Sequence, residues 1–187
     1  MRIHVEQCIS TNLVISKMSL FQEKYRSESH RLANWDYSQE GIYFITVCSN
    51  NQVCLFGDII NEKMVLNELG IIIEEEISNS IILRSKWIFH NWVIMPNHLH
   101  FLIEIVEAQN EASTKQKLQR KPKSISSFVG IFKTVVTKRI NELQGTTQKI
   151  WQNNYHDHIV RNYDSFEKIS NYIVNNPINW NNDVFYS

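Results

Sequence analysis

His98 and His100 are separated by a single residue at the head of the run His98-Leu99-His100-Phe101-Leu102-Ile103-Glu104-Ile105. In a strand, residues two apart point to the same side, so this spacing predicts two imidazoles next to one another on one face. Leu99, Phe101, Ile103 and Ile105 then share the other face, which is wholly apolar and must pack on a core. Neighbouring neutral imidazoles chelate a divalent ion. Two are too few for a closed structural site, and they leave positions for a third side chain, water and substrate oxygens, as catalysis requires. The same spacing also fits two half-exposed strand histidines with no joint role.

A second pair lies near the C-terminus. Tyr172 and Asn176 are four apart in a helical stretch and therefore lie one turn apart on the same face. A tyrosine hydroxyl attacks phosphorus directly to give a covalent phosphotyrosine. Its ordinary pKa of roughly 10 is unfavourable, so a nearby cation is needed to favour the phenolate. Asn176 offers a neutral oxygen as a third ligand, a combination that suits Mg²⁺ or Mn²⁺. Spacing alone also fits a core tyrosine beside Ile169 and Ile173, and it leaves Tyr155, Tyr163 and Tyr186 open as alternatives.

The elements that must position these residues follow from periodicity. Ile42 to Cys48 is rich in β-branched and aromatic residues and reads as a central strand. Val53 to Phe56 and Met64 to Leu66 suggest a hairpin turning through Asn61-Glu62-Lys63. Asn67 is a candidate N-cap for a helix to about Asn79. Trp87 to Met95 and His98 to Val106 read as two strands joined at Pro96-Asn97, an antiparallel hairpin. Ser124 to Leu143 reads as a helix with Phe128, Phe132, Val135, Val136, Ile140 and Leu143 inward. Tyr155 to Arg161 adds a short strand or ordered loop. A last helix is expected from near Asp164, where Asp164 and Glu167 have capping-box spacing, to about Asn176 before Pro177. The order predicts an α+β domain, an antiparallel sheet with helices packed on one face in a ferredoxin-like arrangement.

The 187 residues suffice for one domain with a substantial core. The mean hydropathy of −0.30, with no apolar run of bilayer-spanning length, points to a cytoplasmic protein with no membrane partner. Three cysteines (Cys8, Cys48 and Cys54), with no C-x-x-C pair, argue against a disulfide framework or a thiolate zinc site. Formal net charge is zero, yet Lys115, Lys117, Arg120, Lys121, Lys123, Lys133, Lys138 and Arg139 fall within 25 residues that hold no acid. Such a segment is able to neutralise phosphates whatever the rest of the chain carries. It is equally readable as a solvated loop and helix face.

Several motifs in order resemble the REP-associated tyrosine transposases, within the single-tyrosine group that carries a His-hydrophobic-His motif. They are Trp35-Asp36-Tyr37-Ser38, Gly41 to Thr46, Leu55-Phe56-Gly57, Pro96 to His100, Phe128 to Lys133, Trp151-Gln152, Asp157 to Asn162 and Tyr172 to Pro177. The resemblance implies a transposase domain over residues 31–180, flanked by an N-terminal extension (1–30) and a C-terminal tail (181–187). It implies that the tyrosine helix lies over the two histidines and that Tyr172 cleaves single-stranded DNA beside hairpin-forming, REP-like palindromes. It further implies a 5′-phosphotyrosine and a divalent ion on His98, His100 and a polar residue of the tyrosine helix. The better-known relatives place Gln in the third-ligand position where this chain has Asn176, one methylene shorter. Asn serves there in the REP-associated group, and Asp157 and His158 stand as rival ligands or supporting residues, with Arg161 beside them. On this view the segment from Lys115 to Lys123 and the Lys133, Lys138 and Arg139 helix bind the hairpin backbone. Arg31, Trp35 and Tyr37 contact an unpaired guide strand. A nucleoid location and a monomer or homodimer follow. The competing expectations are a domesticated hairpin-binding protein without transposition activity, and a metal-dependent hydrolase or oxygenase of small molecules.

Overall fold

The computed structural model describes residues 36–106 and 124–186. Strands β1 (Gly41–Cys48), β2 (Gly57–Ile60) and β3 (Lys63–Leu66) lead into helix α1 (Glu68–Leu83). Strands β4 (Trp87–Ile94) and β5 (His98–Ile105), helix α2 (Ile125–Gln144), strand β6 (His156–Val160) and helix α3 (Tyr163–Asn175) complete the domain. The main sheet has the order β4-β5-β1-β6, and every neighbouring pair is antiparallel. Setting aside the small β2–β3 hairpin, this is the βαββαβ order of a ferredoxin-like fold, as expected.

Side-chain parity divides the sheet into two faces. Tyr43, Ile45 and Val47 of β1 and Leu99, Phe101, Ile103 and Ile105 of β5 enter the main core together with Ile73 and Ile77 of α1 and Phe128, Phe132, Val136 and Ile140 of α2. Phe128 holds edge-to-face contacts with Trp87, Phe89 and Phe101, at ring-centroid distances of 5.6, 5.8 and 5.7 Å. The two crossover helices thus share one face. The opposite face carries a second cluster in which Ile173, Phe166 and Ile169 of α3 pack on Ile42, Phe44, Val93, Leu102 and Val160. The tyrosine helix therefore covers the histidine face, as the resemblance implies.

Strand β4 keeps both faces supplied through a bulge. Its register with β5 shifts between Phe89 and Asn91, and the extra residue, His90, flips the alternation. Trp87 and Phe89 before it and Trp92 and Ile94 after it all face the main core. Asn91, as a result, faces α3, where its side-chain amide donates to Ser170 Oγ.

Several boundaries differ from expectation. The hairpin strands are 57–60 and 63–66 rather than 53–56 and 64–66. Gly57 has φ +138°, and a Cβ there would meet Val65 O at 2.1 Å, so the strand begins at the residue that permits the close approach. Asn67 caps α1 as expected, accepting from Leu69 and Gly70 N–H groups at 3.0 Å each, but the helix runs one turn further than expected, to Leu83. Helix α3 is capped by Asn162, whose side-chain oxygen accepts from Ser165 N at 2.8 Å, and not through Asp164. Among the described residues no helix is long and apolar enough to cross a membrane.

Candidate active site

Strand β5 presents His98 and His100 on the α3 face, with ring centroids 4.5 Å apart and both side chains buried. Each Nδ1 has a partner. His98 Nδ1 lies 2.8 Å from Asn97 Oδ1. Asn97 Nδ2 donates to Gln52 O (2.9 Å) and Phe185 O (2.7 Å), so its Oδ1 is the acceptor and His98 Nδ1 carries the proton. In the neutral ring Nε2 is then a bare lone pair. That atom is buried and has no hydrogen-bond partner among the described residues. His100 Nδ1 meets Thr46 Oγ1, its cross-strand neighbour, at 2.8 Å, which turns Nε2 toward α3.

Burial holds both rings neutral. It lowers the His98 pKa from its ordinary 6.5 to about 4, opposed by the Asp183 carboxylate. His100 is held well below 6.5 by burial and then by the neighbouring His98. Neutral imidazoles with fixed tautomers are the form that binds a metal.

Helix α3 brings Tyr172 over this pair. Its hydroxyl lies 3.3 Å from His100 Nε2 and donates to Asp183 Oδ2 at 3.0 Å. The ring also meets Phe44 edge to face at 6.1 Å, while Phe44 stacks on His100 at 5.1 Å. Tyr172 remains 39% exposed, so substrate can reach its hydroxyl. Burial, followed by the charge and hydrogen bond of Asp183, raises its pKa above the ordinary 10. The alternative tyrosines stand elsewhere. Tyr155 is buried with its hydroxyl 3.0 Å from Ser126 Oγ, Tyr163 sits at the far end of α3, and Tyr186 packs edge-on against Trp180.

Asp183 was not expected, because residues 181–187 read as a tail. After Pro177 the chain makes a 3-10 turn over Trp180–Asn182, buries Trp180 and returns across the histidines. Phe185 packs on His98 at 4.6 Å, and its carbonyl is tied to Asn97. Asp183 Oδ1 accepts from Phe185 N at 2.8 Å, and Oδ2 accepts from Asn176 Nδ2 at 2.7 Å. One ligand atom each from His98, His100 and Asp183 lie within 4.8 Å of one another. Asn176 is fully buried at the same place, and its Oδ1 has no hydrogen-bond partner among the described residues. A compact His-His-Asp group in which His98 Nε2 is unpartnered, with the unpartnered Asn176 Oδ1 beside it, fits a divalent ion. Cys48, opposite His98 in the sheet, is not part of this ligand group, and burial pushes its thiol up to about 11.

The other expected site residues are scattered. Asp157 stands opposite Ile45 in the β1–β6 register and so lies on the main-core side of the sheet, away from the histidines. Its role as a rival ligand is ruled out by parity. His158 is exposed on the histidine side, opposite Phe44. Tyr37 is buried against Tyr43 and offers no open ring for stacking on a guide strand. The α2 cations have partners within the protein. Lys133 donates to Gln152 O (2.9 Å) and Asn154 O (2.8 Å), Arg139 pairs with Glu75, and Lys138 lies 3.7 Å from Glu142. They sit on a helix of the opposite face and are engaged within the protein. Arg31, Trp35, Lys115, Lys117, Arg120, Lys121 and Lys123 lie outside the described residues.

No family model matches the chain. It is 38% identical, over 171 residues, to an uncharacterized protein of Haemophilus influenzae, a match covering 87% of this chain and 94% of that one. The chain belongs to that protein's family. Among solved structures it is similar to the REP-associated tyrosine transposase bound to a REP hairpin, with TM-score 0.52 and 21% identity over 83% of this chain and 74% of that one. The fold is that of a REP-associated tyrosine transposase. Within this transposase fold, the histidine strand and the tyrosine helix lie face to face, with Asp183 between their functional groups.

Proposed function

We propose that the chain is a metal-dependent endonuclease and strand transferase of single-stranded DNA that acts through a 5′-phosphotyrosine on Tyr172. The observation that carries the reading is the Tyr172 hydroxyl, within hydrogen-bond reach of both His100 and Asp183 at the edge of a His-His-Asp donor group. The solved neighbour of this fold was captured with a REP hairpin, which supports hairpin-forming single strands as the substrate class.

His98, His100 and Asp183 would hold the ion, with Asn176 Oδ1 as a fourth ligand. Mg²⁺ or Mn²⁺ suits this mixed set. When bound, the ion supplies positive charge that polarises the scissile phosphate and favours the phenolate. The protein's own groups do the rest. Asn97 fixes the His98 tautomer, Thr46 orients the His100 ring, and Asn176 orients the Asp183 carboxylate. Tyr172 Oη attacks phosphorus, its proton leaving toward Asp183 Oδ2. The P–O3′ bond breaks, and the departing oxygen takes a proton from water to become a 3′-hydroxyl. Because the phosphodiester energy is retained in the phosphotyrosine, a second 3′-hydroxyl reverses the step and rejoins DNA.

The test is a labelled single strand carrying a hairpin, incubated with protein and Mn²⁺. A covalent protein–DNA band is expected, absent with Tyr172→Phe and absent with chelator. A wild-type protein that binds the hairpin and forms no band overturns the nuclease reading in favour of a binding protein.

A further inference from the structure

At the other end of α3 the same sheet face holds a slot of about 440 Å³ lined by Ile42, His90, Val160, Arg161, Tyr163 and Phe166. We propose that this slot is a nucleobase pocket that takes one unpaired base of the strand being cleaved. The inference rests on the single-strand DNA reading and names where that strand runs.

The walls have the chemistry of a base site. Tyr163 and Phe166 are nearly parallel, with 20° between their planes and centroids 6.4 Å apart. Tyr163 is nonetheless 69% exposed, so one face of its ring is open to stacking. Its hydroxyl donates to Glu167 Oε1, one turn further on, at 3.3 Å. Ile42 and Val160 form an apolar floor. His90, which the β4 bulge turns to this side, meets Phe166 edge-on at 5.0 Å and Glu104 Oε2 at 2.7 Å. It brings a polar edge to an otherwise apolar slot, the arrangement by which small ligand sites fix orientation. Arg161 is exposed at the rim and supplies the cation that a neighbouring phosphate needs. Bases stack on aromatic rings whatever their identity, while phosphates follow the cations.

Position strengthens the case. Tyr163 and Tyr172 are nine residues apart on one helix, roughly 13 Å at 1.5 Å per residue. Ile42 in the slot and Thr46 beside His100 are four apart on β1, again roughly 13 Å at 3.3 Å per residue. Helix and strand give the same axial span, about four stacked nucleotides. Nine residues are two and a half turns of α3, so Tyr163 and Tyr172 stand on opposite flanks of it, and a strand that reaches both crosses the helix.

The test uses the full chain in chelator, so that no cleavage occurs, with hairpin oligonucleotides carrying 2-aminopurine at one unpaired position at a time. Fluorescence is expected to be quenched at a single position a few nucleotides from the cleavage point. Tyr163→Ala should abolish that quenching and weaken binding about 10-fold or more, whereas Tyr163→Phe should keep both near wild type. Uniform fluorescence along the strand, or quenching that survives Tyr163→Ala, overturns the proposal. The two readings fail separately. Position-specific quenching without a covalent band in Mn²⁺ leaves the pocket standing and removes the nuclease, and a covalent band without it does the reverse.

Discussion

Replacing Asp183 by Asn tests how the ion is held. The carboxylate is the only formal charge among the candidate ligands, since burial keeps His98 and His100 neutral and Asn176 is an amide. The substituted amide would match the carboxylate in size and accept at least one of the hydrogen bonds now made by Tyr172 (3.0 Å) and Asn176 (2.7 Å), so the fold should survive. Loss of a merely supporting partner lowers metal affinity about 10- to 100-fold. Loss of the one charged oxygen facing a hard cation should exceed that range, which is about 3 kcal/mol or more at 1.4 kcal/mol per decade. Asn176→Ala removes a neutral oxygen and the positioning bond, and should fall inside the range. Mn²⁺ binding followed by electron paramagnetic resonance separates the two variants without reference to activity. An Asp183→Asn protein that binds Mn²⁺ within about threefold of wild type would refute the assignment and return the third position to Asn176.

Other outcomes follow from the same geometry. Thr46→Val removes the partner of His100 Nδ1 (2.8 Å) and should cost about 10- to 100-fold in Mn²⁺ affinity by calorimetric titration, and about 1–3 kcal/mol of stability in urea melts because a buried ring nitrogen loses its partner. In the metal-free protein, His98 binds its proton only near pH 4 when folded and near 6.5 when unfolded. Stability is therefore full above 6.5 and declines as pH falls toward 4, by roughly 3 kcal/mol from His98, with His100 adding in the same direction; urea melts at stepped pH values check the slope. Phe128→Ala opens the main core where Trp87, Phe89 and Phe101 meet and should destabilise by about 3–5 kcal/mol in the same melts. Lys138→Ala should leave hairpin affinity unchanged in a filter-binding assay, because its charge faces Glu142 on the side of the sheet away from Tyr172.

The parts of the fold written in local patterns were legible. Strand parity separated the histidine face from the apolar face of β5, and Asn67 marked the start of the helix that it caps. Legibility failed where tertiary context decides. The β4 bulge interrupts the alternation at His90, so Trp87 and Trp92 share a core that simple period-two reading would split between faces. Asp157 looked like a ligand in sequence and was turned away by one residue of parity. The α2 cations read as a DNA surface because their partners, Glu75 and the carbonyls of Gln152 and Asn154, are distant in the chain. Asp183 carries no periodic signal at all. Its place depends on the chain turning back after Pro177 and burying Trp180, and the one local hint was an acid in an otherwise polar segment that ends on two aromatics.

Covalent joining of DNA to Tyr172, beside the group formed by His98, His100 and Asp183, is tested most directly by mass spectrometry of the product formed with Mn²⁺ and a hairpin-bearing single strand, after nuclease trimming and proteolysis. A nucleotide on the peptide containing Tyr172 is expected. A nucleotide on Tyr163 or Tyr186 instead, with Tyr172 unmodified, would contradict it.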